Sequence, residues 1–136
     1  MTDKLKLSML DTELVVLRFS GETDIFPLLS QGTGKKGPSS FFSFTRTGEE
    51  ISIIAEPDHP LVIASEQQEG HFRAFKVEGP LDFALTGVMS SITAPLAKAG
   101  ISVFTISTFD TDYILVPAGK AGAAKVALSK DFDVTA

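Results

Sequence analysis

Between Phe72 and Pro117 the spacing of apolar residues changes from strand-like to helical and back. Phe72-Arg73-Ala74-Phe75-Lys76-Val77 reads as a strand that ends at Glu78-Gly79-Pro80. From Leu81 to Ala99, Leu81, Leu85, Val88, Ile92 and Leu96 recur at intervals of three or four, which predicts a helix with one apolar face. Thr86 can cap an N-terminus that begins at Gly87, and Gly100 supplies a left-handed stop. Pro95 falls inside this helix, where it removes one backbone bond, to the Ser91 carbonyl. Ile101–Ile106 and Tyr113–Val116 then read as two strands joined by the polar turn Ser107–Asp112. The order is β-α-β-β, the core of a ferredoxin-like layer.

The pattern occurs twice. Leu14–Gly21 overlays Phe72–Gly79: both are strand-like, both place a cation three residues before the glycine, and both end at glycine. Thr45–Ile54 overlays Ser107–Val116, so the offsets are 58 and 62 residues. A repeat of this period predicts two similar supersecondary units, although any two hairpins share some likeness. The halves differ in regularity. Glu22–Ser40, the counterpart of the long helix, holds Pro27, Pro38 and a Gly/Lys-rich run, and only Asp24–Leu29 has room for a helical turn or two.

Past Val116, Ala121, Ala124 and Leu128 share a face and predict a second helix within Lys120–Lys130, followed by a last strand at Phe132–Val134. The first half shows no matching helix: Leu61-Val62-Ile63 reads as a strand and Glu66–Gly70 as a turn. The expectation is therefore an α+β chain of two ferredoxin-like βαββαβ units. The first, residues 1–68, is trimmed, and the second, residues 69–136, is complete. Their antiparallel sheets are expected side by side, with helices on one face.

Composition narrows the function classes. With 136 residues and 43% hydrophobic content the chain can bury a core, and no apolar run approaches the ~20 residues of a membrane span. Met1–Lys6 lacks the apolar core of an export signal, and the absence of cysteine excludes disulfides and thiolate chemistry, which suits a cytoplasmic protein. A net charge of −5, with adjacent cations only at Lys35-Lys36, speaks against a nucleic-acid surface.

No catalytic constellation emerges. Gly32-Thr33-Gly34-Lys35-Lys36-Gly37 has the G-x-G-x-x-G form, but β-rich Phe41–Phe44 follows where a nucleotide site needs a helix, so the run reads as a loop. His59 and His71 both sit beside turns, lack metal-ligand spacing and read as surface residues. The carboxylate pairs Glu49-Glu50 and Asp110/Asp112 read as solvated turn formers. The expectation is no enzyme, no cofactor and no metal.

Asp112 is the exception, because it opens an apolar strand in a unit whose helix opens at Thr86-Gly87. In such a unit the helix start and the loop before it can lie near a sheet edge. Backbone N–H groups of Gly87 and Val88 would bind a carboxylate, aided by the helix dipole. Asp112 would bind an ammonium through a charge-assisted hydrogen bond. Together these describe a receptor for a free amino acid; the alternative is that Gly79, Gly87 and Asp112 are turn and cap residues only.

Leu81–Val88, Ala97–Val103 and Ile106–Val116, with Ser107-Thr108-Phe109-Asp110-Thr111-Asp112 as their most specific run, resemble an ACT domain. The branch is that of small bacterial tandem ACT proteins, the animal CASTOR arginine sensors and aspartate kinase regulatory regions, and Ser43–Ile53 resembles its first repeat. The resemblance implies paired βαββαβ units that bind a regulatory amino acid at their interface. Carried over residue by residue, the ligand would meet Gly87 and Val88 at the helix start and Thr108, Phe109 and Asp112 on the hairpin. It also implies association into a homodimer, with no role for nucleic acid or membrane. A ligand-free association domain acting on a partner enzyme is the alternative.

Overall fold

The computed structural model describes residues 4–29, 40–78 and 87–135. The chain runs β1 (Lys6–Ser20), α1 (Phe26–Leu29), β2 (Ser43–Arg46), β3 (Glu50–Ala55), α2 (Pro60–Ala64), β4 (Gln67–Val77), α3 (Val88–Lys98), β5 (Phe104–Ser107), β6 (Asp112–Pro117), α4 (Ala121–Leu128) and β7 (Asp133–Thr135). Two compact units result: Thr12–His71, and Met1–Asp11 together with Phe72–Ala136. A boundary at 68/69 divides the chain differently, because two strands are longer than expected. β1 contributes its beginning to the second-half unit and its remainder to the first-half unit, and β4 does the reverse.

In the second-half unit β6 lies between β4 and β5, antiparallel to both, with Lys76 opposite Tyr113 and Ser107 opposite Asp112. The opening of β1 occupies the other side of β4, where the Glu78 N–H donates to the Lys6 carbonyl at 2.9 Å. β7 then pairs with Lys6–Ser8 in parallel. A plain ferredoxin-like unit would set its last strand beside its first; here the start of β1 stands between them.

Period-two burial along the strands and period 3.6 along the helices meet in one core. Leu7, Phe75, Val77, Ile114 and Val116 from the strands pack with Ile92 and Leu96 of α3 and with Ala121, Ala124 and Leu128 of α4. Both helices thus cover one face of this unit's sheet. The helix predicted over 81–99 is described from Val88; residues 81–86, including the Thr86 cap, lie outside the described residues. Its C-terminus follows the glycine prediction. Gly100 sits at φ 75°, its N–H reaches the Ala97 carbonyl at 3.0 Å, and the Ile101 N–H reaches Leu96 at 2.9 Å. That is a Schellman closure, with buried Ile101 supplying its apolar contact.

The strand after Gly100 starts only at Phe104, three residues later than its apolar run suggests.

The first-half unit has the order β-α-β-β-α-β in full, which corrects the expectation of a missing second helix. Leu61-Val62-Ile63 is helical, within α2. Two β-branched residues favour a strand, but Pro60 at the first helical position and the His59 ring, which accepts the Leu61 N–H, override that preference. Glu66–Gly70 is likewise no turn, since β4 begins at Gln67. What distinguishes this half is helix length: α1 has 4 residues and α2 has 5, against 11 and 8 for α3 and α4. Its core gathers Val15, Leu17, Phe19, Ile25, Ile51, Ile53, Ala55 and Leu61.

Candidate functional site

Three of the five predicted ligand residues fall on one hairpin turn. Thr108 and Phe109 lie in the connection from β5 to β6, and Asp112 is the first residue of β6. The turn is closed by hydroxyl chemistry. The Thr108 N–H donates to the Thr111 carbonyl at 2.8 Å, and the Thr108 hydroxyl donates to the same oxygen at 3.1 Å while accepting the Thr111 N–H at 3.2 Å. Thr111 is buried, and its own hydroxyl donates to the Val77 carbonyl. That bond ties the turn to the last residue of β4. Asp112 is half-buried, and its Oδ1 accepts the Ser107 hydroxyl at 2.6 Å. Among the described residues no hydrogen bond engages its other carboxylate oxygen. Phe109 is 81% exposed, so its ring presents apolar surface at the tip.

Gly87 and Val88 open α3. Gly87 is the N-cap, at φ 81° and ψ −5°, a left-handed conformation that only glycine adopts cheaply. Among the described residues no side chain caps the helix, and a Cβ built on Gly87 would meet none of them within 4 Å. Val88 packs partly buried against the core. Unpaired N–H groups at such an end attract a carboxylate. Among the described residues no hydrogen bond joins Gly87 or Val88 to the hairpin turn. The connection 79–86, which leaves β4 just after Val77, lies outside the described residues.

The first-half unit carries the same turn without the carboxylate. The Thr47 N–H donates to the Glu50 carbonyl at 2.9 Å, as Thr108 does to Thr111, and Arg46 stands opposite Ile51 as Ser107 stands opposite Asp112. The hairpins therefore correspond at an offset of 61, one less than the 62 of the sequence overlay. Glu50 matches Thr111, and fully buried Ile51 matches Asp112. The carboxylate device occurs once in the two hairpins.

One histidine departs from its surface reading. His59 is 3% exposed; its Nδ1 accepts the Leu61 N–H at 3.1 Å and its ring stacks on Phe42 with centroids 5.2 Å apart. A cap made by imidazole leaves no signature among the usual Ser, Thr, Asp and Asn caps, which is why sequence reasoning missed it. We expect His59→Ala to lower stability by about 2 kcal/mol, from the lost cap and the vacated ring volume. Urea unfolding should show His59→Asn recovering part of the loss, since asparagine retains an acceptor. His71 is surface-exposed as read, 2.9 Å from Glu13.

The Gly-rich run 32–37 lies outside the described residues. Among the described residues no group of three or more His, Cys, Asp or Glu could hold a metal, and no helix is long and apolar enough to cross a membrane. An open groove of about 590 Å³, lined by Lys4, Lys6, Ser129, Phe132, Asp133 and Val134, includes none of the five residues.

The model of the ACT domain family matches residues 67–130, the span from the start of β4 through α4 that holds all five. The chain carries an ACT domain. Among curated proteins, the cytosolic arginine sensor for mTORC1 subunit 1 of Bos taurus is 33% identical over 116 residues, covering 79% of this chain and 35% of its own length. The Homo sapiens protein of the same name is 36% identical over 95 residues, covering 63% and 29%. The chain thus spans about a third of the length of these curated relatives. Among solved structures, protein Atu0741 from Agobacterium tumefaciens is similar at 27% identity and a TM-score of 0.77, over 98% of this chain and 93% of its own. The ligand-free regulatory subunit of aspartate kinase from Thermus thermophilus shares the fold at 13% identity and a TM-score of 0.65, covering 93% of this chain and 97% of its own. Around this ACT domain's hairpin, therefore, fold and family agree with the resemblance read from Ser107–Asp112.

Proposed function

We propose that the chain is a non-catalytic regulatory module of the cytoplasm whose ACT domain binds a free amino acid. Asp112 takes the ligand's cationic group, the N–H groups at Gly87 and Val88 take its carboxylate, and Thr108 and Phe109 line the space between. The observation that carries this reading is the state of Asp112. It is a half-buried carboxylate held on one oxygen by Ser107, on a turn anchored to the end of β4. A carboxylate so restrained offers a ligand cation a fixed partner, which costs less entropy on binding than a free surface side chain. The relatives named as arginine sensors make arginine the first ligand to try; lysine and aspartate follow, because an aspartokinase with this fold is described in complex with both. A thermal-shift screen with the common amino acids tests the proposal. Stabilisation by at least one of them is expected, and no response to any would overturn it.

A second reading has its own observation. Val103, Phe104 and Phe109 are all exposed on or beside β5, the edge strand of its unit. Apolar residues at an open strand edge favour pairing with another chain. On this reading the module works by association, either with a partner enzyme or with its own copy, and the two readings are compatible if the ligand site is completed by a homodimer. Sedimentation equilibrium at ~100 µM is expected to show dimer, an association of about −5.5 kcal/mol at that dissociation constant. A monomer throughout would count against the edge as an interface.

A further inference from the structure

We propose that Ser107 is a positioning residue for ligand binding: its hydroxyl holds the Asp112 carboxylate in one orientation so that the second oxygen meets the ligand's cation. The inference rests on the amino-acid reading above and adds to it a residue that touches no ligand itself. Ser107 and Asp112 are direct cross-strand partners at the last pair before the turn. A 2.6 Å O–H···O⁻ bond is at the short, charge-assisted end of its class. The pair stands on a rigid base, since Thr108 closes the turn on Thr111 and Thr111 is bonded to Val77.

The hydroxyl has little to do for the fold. Ser107 is exposed, as are Phe104 and Thr105 beside it on β5, so removing its oxygen opens no cavity and strands no buried group. What it does restrain is a torsion. Without the bond, the Asp112 side chain is free to exchange among staggered rotamers, and only some of them direct an oxygen to the ligand. The first-half hairpin has neither member: Arg46 and Ile51 occupy the matching pair. At this cross-strand pair, hydroxyl and carboxylate are thus present together in one hairpin and absent together from the other.

The test uses the full chain, the common amino acids offered singly at millimolar concentration, and the variants Ser107→Ala and Ser107→Thr. Whichever amino acid stabilises the wild type is then titrated by calorimetry. Ser107→Ala is expected to bind it about five- to tenfold more weakly, the net worth of one ordinary hydrogen bond, since the lost bond is to Asp112 and not to the ligand. Ser107→Thr, which keeps the hydroxyl, is expected to return affinity to within about twofold. Two readouts separate positioning from structure: the unliganded melting midpoint of Ser107→Ala should stay within about a degree of wild type. Three-bond couplings at Asp112 should report one χ1 rotamer in wild type and averaging in Ser107→Ala. Equal affinity of Ser107→Ala and wild type would overturn the positioning role and leave the amino-acid reading standing. A lowered unliganded midpoint would overturn it by making the hydroxyl a fold residue. No response of the wild type to any amino acid would remove the amino-acid reading, and the positioning role with it.

Discussion

Phe75→Ala is expected to lower the unfolding free energy of the protein by about 3–5 kcal/mol. Phe75 is fully buried in β4, opposite Ile114 of β6, in the cluster that also holds Ile92 and Leu96 of α3 and Leu128 of α4. Truncation removes the transfer free energy of the ring and leaves a cavity whose walls come from three different elements and cannot close independently. Strand backbone fixes one side of that cavity and helix α3 the other, so relaxation is limited. Urea titration should show an earlier midpoint with an unchanged slope. Phe104→Ala provides the contrast. Phe104 is 39% exposed on the edge strand, and its loss should cost under about 1 kcal/mol. Equal losses at the two positions would mean that the cluster around Phe75 is not the principal core of its unit.

Asp112→Ala is expected to abolish the response to ligand while sparing the fold. Asp112 opens β6 and fills no core volume; its hydrogen bond is to an exposed serine. Removing the carboxylate should weaken ligand binding by roughly 2–4 kcal/mol, the cost of leaving a charged group without its partner. At a ligand concentration of ~100 times the dissociation constant the wild type gains about 2.7 kcal/mol, a shift of several degrees, and the variant should gain almost nothing. Glu50→Ala is the control for loss of a hairpin carboxylate. Glu50 occupies the first-half hairpin at the position of Thr111 rather than of Asp112, so its removal should leave ligand response intact. Early melting of Asp112→Ala without ligand would instead make Asp112 a structural turn residue.

The second half was the more legible half because its signals are local. Apolar spacing from Val88 to Leu96, the glycine stop at Gly100 and the Ala121/Ala124/Leu128 face each describe an element within one or two turns of chain, and each appears where its pattern falls. The turn from Thr108 to Asp112 was legible for the same reason. The hydrogen bonds that close it span three residues, and its cross-strand pair is five residues apart.

Long-range or competing signals were harder to read. Nothing near Lys6 tells that the opening of β1 pairs with β7 more than a hundred residues later, so a division of the chain into consecutive halves was the natural reading. At Leu61-Val62-Ile63, β-branched propensity pointed to a strand, while a proline and an imidazole cap decided for a helix. The offset between hairpins shows how a small error propagates. The sequence overlay at an offset of 62 paired Glu50 with Asp112, whereas backbone hydrogen bonds pair it with Thr111, and only the second alignment shows that the first half replaces the charge with buried Ile51.

The proposal tested most directly is that one amino acid engages both the opening of α3 and the β5–β6 turn. Amide chemical shifts of the full chain, followed by nuclear magnetic resonance during titration with the amino acid that stabilises it, test this residue by residue. The account predicts that the largest changes fall on Gly87, Val88, Thr108, Phe109 and Asp112 and saturate together, with first-half residues such as Thr47 and Glu50 nearly unmoved. Changes centred elsewhere, around the Lys4–Lys6 groove or the His59–Phe42 stack, or no saturable change with any amino acid, would contradict it.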